Sequence, residues 1–186
     1  MAGKIRIIAG QWRGRKMVVP DRPGLRPTGD RARETLFNWI GPRIVGARVL
    51  DLFAGTGALG LEAASRGASR VVLVERDPVA AKALRDGPLT WPGAGSLELV
   101  EADALRWLKQ QHESFELVLV DPPFDSTLHE TALSGLMQIG DCLAARGLVY
   151  LETDLDHVPK EWPPGLELLR QKRFGQVVLT LLMRTV

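Results

Sequence analysis

Short apolar runs recur along this chain at regular intervals, and stretches with a helical apolar period separate them. The runs starting at Arg48 and at Ser69, then Leu97–Val100, Phe115–Val120 and Gly147–Glu152, are rich in Val and Leu and barely interrupted. That pattern predicts strands buried on both faces of a parallel sheet. Between them lie the apolar helix start after Gly57, a helix from Pro78 to Arg85 with Pro at its first position, a helix containing Leu105, Trp107 and Leu108, and a helix from Thr127 to Ile139. After the Pro-rich segment 158–164, Leu166–Lys172 and Gln176–Met183 flank Arg173-Phe-Gly175, a hairpin signal. The expected fold is α/β: a doubly wound, mostly parallel seven-stranded sheet with an antiparallel C-terminal hairpin.

The first residues read differently. Ile5–Ala9 and Arg15–Val19 alternate in character and are joined through Gly10-Gln-Trp-Arg-Gly14, which predicts a small β-hairpin. Pro27 and Gly29 then break the chain. A helix comes next, whose inner face is expected to carry Ala32, Leu36, Trp39 and Ile40, with Thr28 or Asp30 as N-cap and Arg31–Glu34 as an i,i+3 surface pair.

Charge divides the chain at the same place. Residues 1–43 hold ten Lys/Arg against three Asp/Glu, while the remaining 143 hold 14 against 19, so a net charge of +2 conceals a basic arm on a mildly acidic body. The expected organisation is a basic N-terminal appendage over residues 1–43 and a catalytic domain over 44–186. Trp12, flanked by Arg13, Arg15 and Lys16, pairs a stacking plane with phosphate-neutralising charge, so the arm is expected to contact nucleic acid. The alternative is a solvated charged hairpin whose Trp packs on the body.

Composition narrows the classes further. The chain has 186 residues and a hydrophobic share of 45%. It has no apolar run near the roughly 18 residues of a membrane span and no signal segment, so a cytoplasmic protein without a membrane partner is expected. The single Cys142 leaves no internal disulfide, and His112, His129 and His157 lack metal-ligand spacing, so no metal site is expected. The three histidines read as surface or loop residues, and Cys142 as a small buried one.

The chemistry lies where the apolar runs end. Asp121-Pro122-Pro123-Phe124 comes directly after the run Phe115–Val120, and a parallel strand delivers its succeeding residues to the carboxyl edge, where α/β enzymes bind ligands. Two prolines stiffen the backbone and remove two N–H donors, leaving carbonyls and a carboxylate as acceptors. Such a cluster beside an aromatic ring suits a planar base with an exocyclic NH2: carboxylate and Pro122 carbonyl each take one N–H, and Phe124 stacks. Earlier, Gly55-x-Gly57-x-x-Gly60 permits a tight turn and close backbone approach to a ligand, and Glu75, ending the next strand, is placed to accept both hydroxyls of a ribose. The same glycines match the dinucleotide fingerprint, which keeps a nicotinamide-dependent dehydrogenase as a rival.

Taken together, Arg6–Lys16, Arg26-Pro-Thr-Gly-Asp-Arg-Ala-Arg-Glu34, Asp51-Leu-Phe-Ala-Gly-Thr-Gly57 and Asp121–Phe124 resemble the class I S-adenosylmethionine-dependent methyltransferases. Within them they look like the bacterial family that methylates the N2 amine of a guanine in small-subunit (16S) ribosomal RNA. The likeness runs from about Arg6 to Arg184 and is weakest from Arg85 to Ser96. It implies a Rossmann-like methyltransferase sheet with S-adenosyl-L-methionine as cofactor. Asp51, Gly55 and Gly57 would hold the cofactor's methionine part, Glu75 its ribose, and Asp103 with Ala104 its adenine, with Phe53 and Arg76 as further cofactor-binding residues. Asp121, Pro122, Pro123 and Phe124 would hold the target base. Arg6, Trp12, Arg13, Arg15, Lys16, Arg26 and Arg31 would meet RNA. A monomer acting on rRNA within a small-subunit particle is implied.

Other readings stay open at this level. Methylation of adenine N6 or cytosine N4 in DNA uses the same tetrapeptide. A catalytically inert RNA-binding assembly factor has no need of Asp121 and Glu75 in these places. A dehydrogenase needs room for a pyrophosphate and leaves the Asp-Pro-Pro-Phe cluster unexplained. A cysteine-dependent carbon methylase finds Cys142 outside every motif.

Overall fold

The structure, a computed structural model, describes residues 4–19, 29–123, 128–139 and 141–185. The apolar runs form the strands β3 (Arg48–Asp51), β4 (Arg70–Glu75), β5 (Leu97–Glu101), β6 (Phe115–Val120) and β7 (Leu143–Asp154), all parallel to one another. β9 (Val177–Arg184) adds antiparallel to β7, and β8 (Leu166–Phe174) pairs with β9 at the sheet's edge. The order is β5-β4-β3-β6-β7-β9-β8, so the direction of winding reverses between β3 and β6. A crevice outside the carboxyl ends at that reversal is where doubly wound sheets bind ligands.

Strand residues alternate between two apolar clusters, which explains why the runs carry little polar character. Val49, Leu117, Leu119, Tyr150 and Leu181 face one side with α1 (Asp30–Ile40) and α2 (Ala58–Ser65), while Leu50, Val118, Val120 and Leu151 face the other with α4 (Ala104–Leu108) and α5 (Leu128–Gln138). α3 (Pro78–Asp86) contributes Leu84 to the first cluster and is capped by Asp77, which accepts from Val79 and Ala80 N–H. β7 begins four residues before the predicted strand, at Leu143. Its register against β6 shifts between Phe115 and Leu117, and Arg146 takes a positive φ of 56° beside that irregularity. A bulge of this kind disrupts the alternation on which sequence reading depends.

Several local expectations are corrected. In α1 the buried side chains are Ala32, Arg33, Leu36, Phe37 and Ile40, with Trp39 only half-buried; the apolar face is rotated toward Phe37. Its N-cap is Gly29, without a side-chain bond, and Asp30 instead pairs with Arg33 at 2.6 Å. Thr28 lies outside the described residues. His129 is buried within α5 and is no surface residue. Cys142 is buried as expected, and burial first, then Glu113, pushes its thiol up to about 11, far from a nucleophile's range.

The N-terminal hairpin is present, as β1 (Lys4–Arg6) against β2 (Lys16–Val18) with Ile5 opposite Met17. It is seated along α2. Ile8 and Ala9 N–H donate to the Glu62 carboxylate at 2.8 and 3.0 Å, and Trp12 N–H donates to Ser65 Oγ at 3.0 Å. A Cβ at Gly10, whose φ is +79°, would lie 1.7 Å from Ser65 O, so only glycine lets the turn reach the helix end. Glu62, fully buried, also takes Arg33 and Arg66.

Candidate active site

Four strand ends supply the groups at the carboxyl edge. After β3 the chain turns through Gly55 (φ 52°) and Gly57 (φ 76°) into α2, and Ala54 N–H is tied to Val74 O at 2.9 Å. At Gly57 a Cβ would meet Leu84 Cδ2 at 2.6 Å, so the loop is held close by packing as well as by its dihedrals. Glu75, half-buried at the end of β4, accepts Gly55 N–H through Oε2 and Asp77 N–H through Oε1, each at 2.6 Å. These bonds fix the plane of its carboxylate, and each oxygen keeps a second lone pair for a ligand hydroxyl.

Asp51 lies beneath this loop, 1% exposed, with Oδ2 accepting Gly60 N–H at 2.9 Å. Burial pushes its carboxyl up to about 7; the Gly60 bond opposes the shift and the Glu75 charge adds to it. Phe53 is half-buried against the second apolar cluster, and Arg76 is exposed beside Glu75. After β5, Asp103 caps α4 by accepting Arg106 N–H at 3.0 Å, leaving its carboxylate exposed at the same edge, with Ala104 buried behind it. Oriented carboxylates at successive strand ends and a close glycine turn between them fit an adenosine bearing an amino-acid tail, the shape of S-adenosylmethionine. Among the described residues no group of three or more His, Cys, Asp or Glu is arranged for a metal.

Asp121 succeeds β6 on the other side of the reversal, half-buried, with Pro122 buried and Pro123 exposed. Phe124 lies outside the described residues, as does Arg26. Two further polar groups stand beside Asp121 that sequence reading passed over. Tyr150, fully buried, donates its hydroxyl to Glu152 Oε2 at 2.8 Å, and Glu152 is 5% exposed. Burial, then the Glu152 and Asp121 charges, hold the Tyr150 phenol well above its ordinary range, so it remains a donor. A usable signal existed: Glu152 ends an apolar run just as Glu75 does.

The basic residues assigned to nucleic acid separate in space. Trp12 is 2% exposed; its ring packs edge-on against Trp91 at 5.4 Å and its Nε1–H donates to Pro92 O at 2.9 Å. An indole satisfied in this way offers no open face, so Trp12 is no stacking platform for a base, which corrects the sequence expectation. Ser65 ends α2 near the amino ends of the strands, and so does the Trp91–Pro92 loop before β5; the hairpin tip with Arg13 therefore lies at the edge opposite Asp121. Arg15 is exposed and lies over Trp91 at 5.3 Å. Arg6 and Lys16, opposite one another where the paired strands lead into the turn, lie back from the tip, and Arg6 is 3.6 Å from Asp30 at the start of α1, where Arg31 is exposed. α1 runs toward the amino edge, so its first turn faces the catalytic one.

A family model described as Conserved hypothetical protein 95 matches residues 5–183. The chain belongs to that family. It is 45% identical over 183 residues to ribosomal RNA small subunit methyltransferase D of Escherichia coli strain K12, covering 98% of this chain and 91% of that one. The protein of the same name from Haemophilus influenzae is 43% identical over 178 residues, with 94% and 91% covered. Among solved structures, the Escherichia coli methyltransferase yhhF superposes with a TM-score of 0.89 at 42% identity over 99% of both chains. The sheet order and the terminal antiparallel strand are those of methyltransferases, and S-adenosyl-L-methionine is the family's cofactor.

Proposed function

We propose that this chain transfers a methyl group from S-adenosyl-L-methionine to the N2 amine of a guanine in small-subunit (16S) rRNA, acting in the cytoplasm as a monomer on rRNA within a small-subunit particle. The observation that carries this reading is the half-buried Asp121 carboxylate, held by a proline pair at the point where the sheet reverses. Two relatives that cover nearly the whole chain are named for small-subunit rRNA methylation, which supports the substrate class.

When bound, the cofactor supplies a methyl group already activated as a sulfonium. The chain's own task is to present the amine. A guanine N2 lone pair is delocalised into the ring, so the nitrogen is a poor nucleophile. Asp121 and the Pro122 carbonyl each accept one amino hydrogen, which favours a more tetrahedral nitrogen and aims its lone pair. The proton that leaves the nitrogen passes to Asp121 or, through it, to water. Alignment of this kind supplies roughly 7–11 kcal/mol in well-oriented systems, so no further activation is needed. Phe124, next after the proline pair, stacks on the extruded base and offsets by about 1–3 kcal/mol the cost of unstacking it.

The decisive experiment is methyl transfer to small-subunit particles, naked rRNA and DNA, with the methylated nucleoside identified by mass spectrometry. N2-methylguanosine from the rRNA substrates is the expected product. N6-methyladenine or N4-methylcytosine in DNA would establish the alternative, and binding of rRNA without any transfer would make the chain an assembly factor. Asp121→Ala should lower turnover at least ~10²-fold while cofactor affinity stays the same.

A further inference from the structure

The sheet ladder carries the Asp121 row across to the far edge of the molecule. Val120 pairs with Leu151, so Asp121 and Glu152 stand one residue further along neighbouring strands; Glu152 pairs with Leu179, and Leu179 with Lys172. Residues opposite one another in a ladder share a face, and neighbouring strands are about 4.8 Å apart. Lys172 therefore stands on the same face as Asp121, at the same height along the strands and three strands away, roughly 14 Å. The preceding row runs from Leu119 through Tyr150 and Leu181 to Arg170.

β8 is unlike the other sheet strands: every residue from Glu167 to Arg173 is exposed. Arg48, Arg66, Arg70 and Arg85 are all held by carboxylates, whereas among the described residues neither Arg170 nor Lys172 has a carboxylate partner. Lys172 Nζ lies 5.0 Å over the ring of Phe174, which pairs with Val177 at the carboxyl edge. The centre of that edge is acidic, with Asp121 and Glu152 side by side. A polyanion approaching them is repelled unless cations flank the acids. The hairpin's Arg6 and Lys16 are one flank, because the hairpin is seated on α2, which packs against β3 and β4, and β8, beyond β7 and β9, is the other.

We propose that Arg170 and Lys172 on β8, with Phe174 beside them, form a second phosphate-binding row that grips the RNA substrate's backbone on the side of the target base away from the N-terminal hairpin. This rests on the RNA-methylating function proposed for the same site. The two carboxylates keep phosphates out of the centre, and the two flanking rows hold the strand across it, so that the base is the part presented to Asp121.

The test is Arg170→Ala/Lys172→Ala beside the wild type, with methyl transfer to small-subunit rRNA measured against RNA and salt concentration. The double variant should raise the KM for RNA about tenfold at low salt and leave kcat and cofactor affinity unchanged. For every phosphate that is no longer neutralised, the slope of log affinity against log salt should flatten by roughly 0.7–0.9. Lys172→Arg should behave as wild type, and a matching thermal midpoint should show that the double variant is folded. Unchanged KM and slope in a folded double variant would overturn the proposal. Self-association on a sizing column would then assign those charges to protecting an open sheet edge. A wild type that transfers no methyl group to RNA would overturn the substrate reading itself, and this inference with it.

Discussion

At the scale of single residues, the two carboxylates behind the glycine turn differ in kind. Asp51 is fully buried and its carboxyl is pushed up to about 7 by burial, whereas Glu75 is half-buried and tied by two backbone N–H groups. If Asp51 meets the cofactor's ammonium, binding requires its ionised form. Cofactor affinity should then be flat above pH 7 and fall about tenfold per unit below it, as far as the protein stays folded. Asp51→Asn should remove that dependence, which calorimetry at several pH values will check. The stability of the free protein runs the other way. Because the folded carboxyl holds its proton up to about 7 while the unfolded one loses it near 3.8, the Asp51 contribution to stability declines as pH rises through that window and is constant above it. Glu75→Ala should weaken cofactor binding by about 1.5–3 kcal/mol for each charge-assisted bond removed. Unchanged calorimetric affinity in that variant would remove Glu75 from the cofactor site.

At the scale of elements, the hairpin and α2 are joined through a buried carboxylate. Glu62 accepts two hairpin N–H groups and faces Arg33, itself 1% exposed, whose guanidinium also donates to Arg6 O at 2.9 Å. Removing one partner of a buried pair leaves the other charge stranded. Glu62→Ala should therefore cost about 3–5 kcal/mol in denaturant unfolding. A variant as stable as wild type would mean that the hairpin is held by its apolar contacts alone. Trp12→Ala should cost about 3–5 kcal/mol, as truncation of a buried indole does. Where that variant remains folded, its RNA affinity should match the wild type, because the ring faces Trp91 and Pro92. Weakened RNA binding at unchanged stability would restore the stacking role.

At the scale of the whole molecule, the position of each cation along the sheet decides its reach to Asp121. Lys16, paired with Arg6 beside Asp30, and Arg31 lie toward the catalytic edge, whereas Arg13 at the hairpin tip lies toward the opposite one. Lys16→Ala/Arg31→Ala should weaken RNA binding and flatten its salt slope by roughly 0.7–0.9 per phosphate contact, and Arg13→Ala should change neither. Equal effects from the two variants, read in a salt titration, would show RNA wrapped around both edges.

The apolar runs settled the architecture, because strands buried on both faces must be apolar almost throughout and the glycines and prolines between them mark where each ends. The same logic placed Asp51, Glu75, Asp103 and Asp121 at one edge, since parallel strands all deliver their last residue to the same side. What sequence could not decide were matters of distance between remote segments. Trp12 beside three basic residues has the look of an exposed binding tip until Ser65 and Pro92, more than fifty residues away, are brought against it. Arg33 and Glu62, 29 residues apart, have no local pattern that joins them, and only the packing of α1 on α2 pairs them out of water. Lys172 is only the last residue of a predicted strand until the ladder through Leu179 and Glu152 sets it level with Asp121. Local pattern reports which residues must leave water. Only packing fixes which of them then meet.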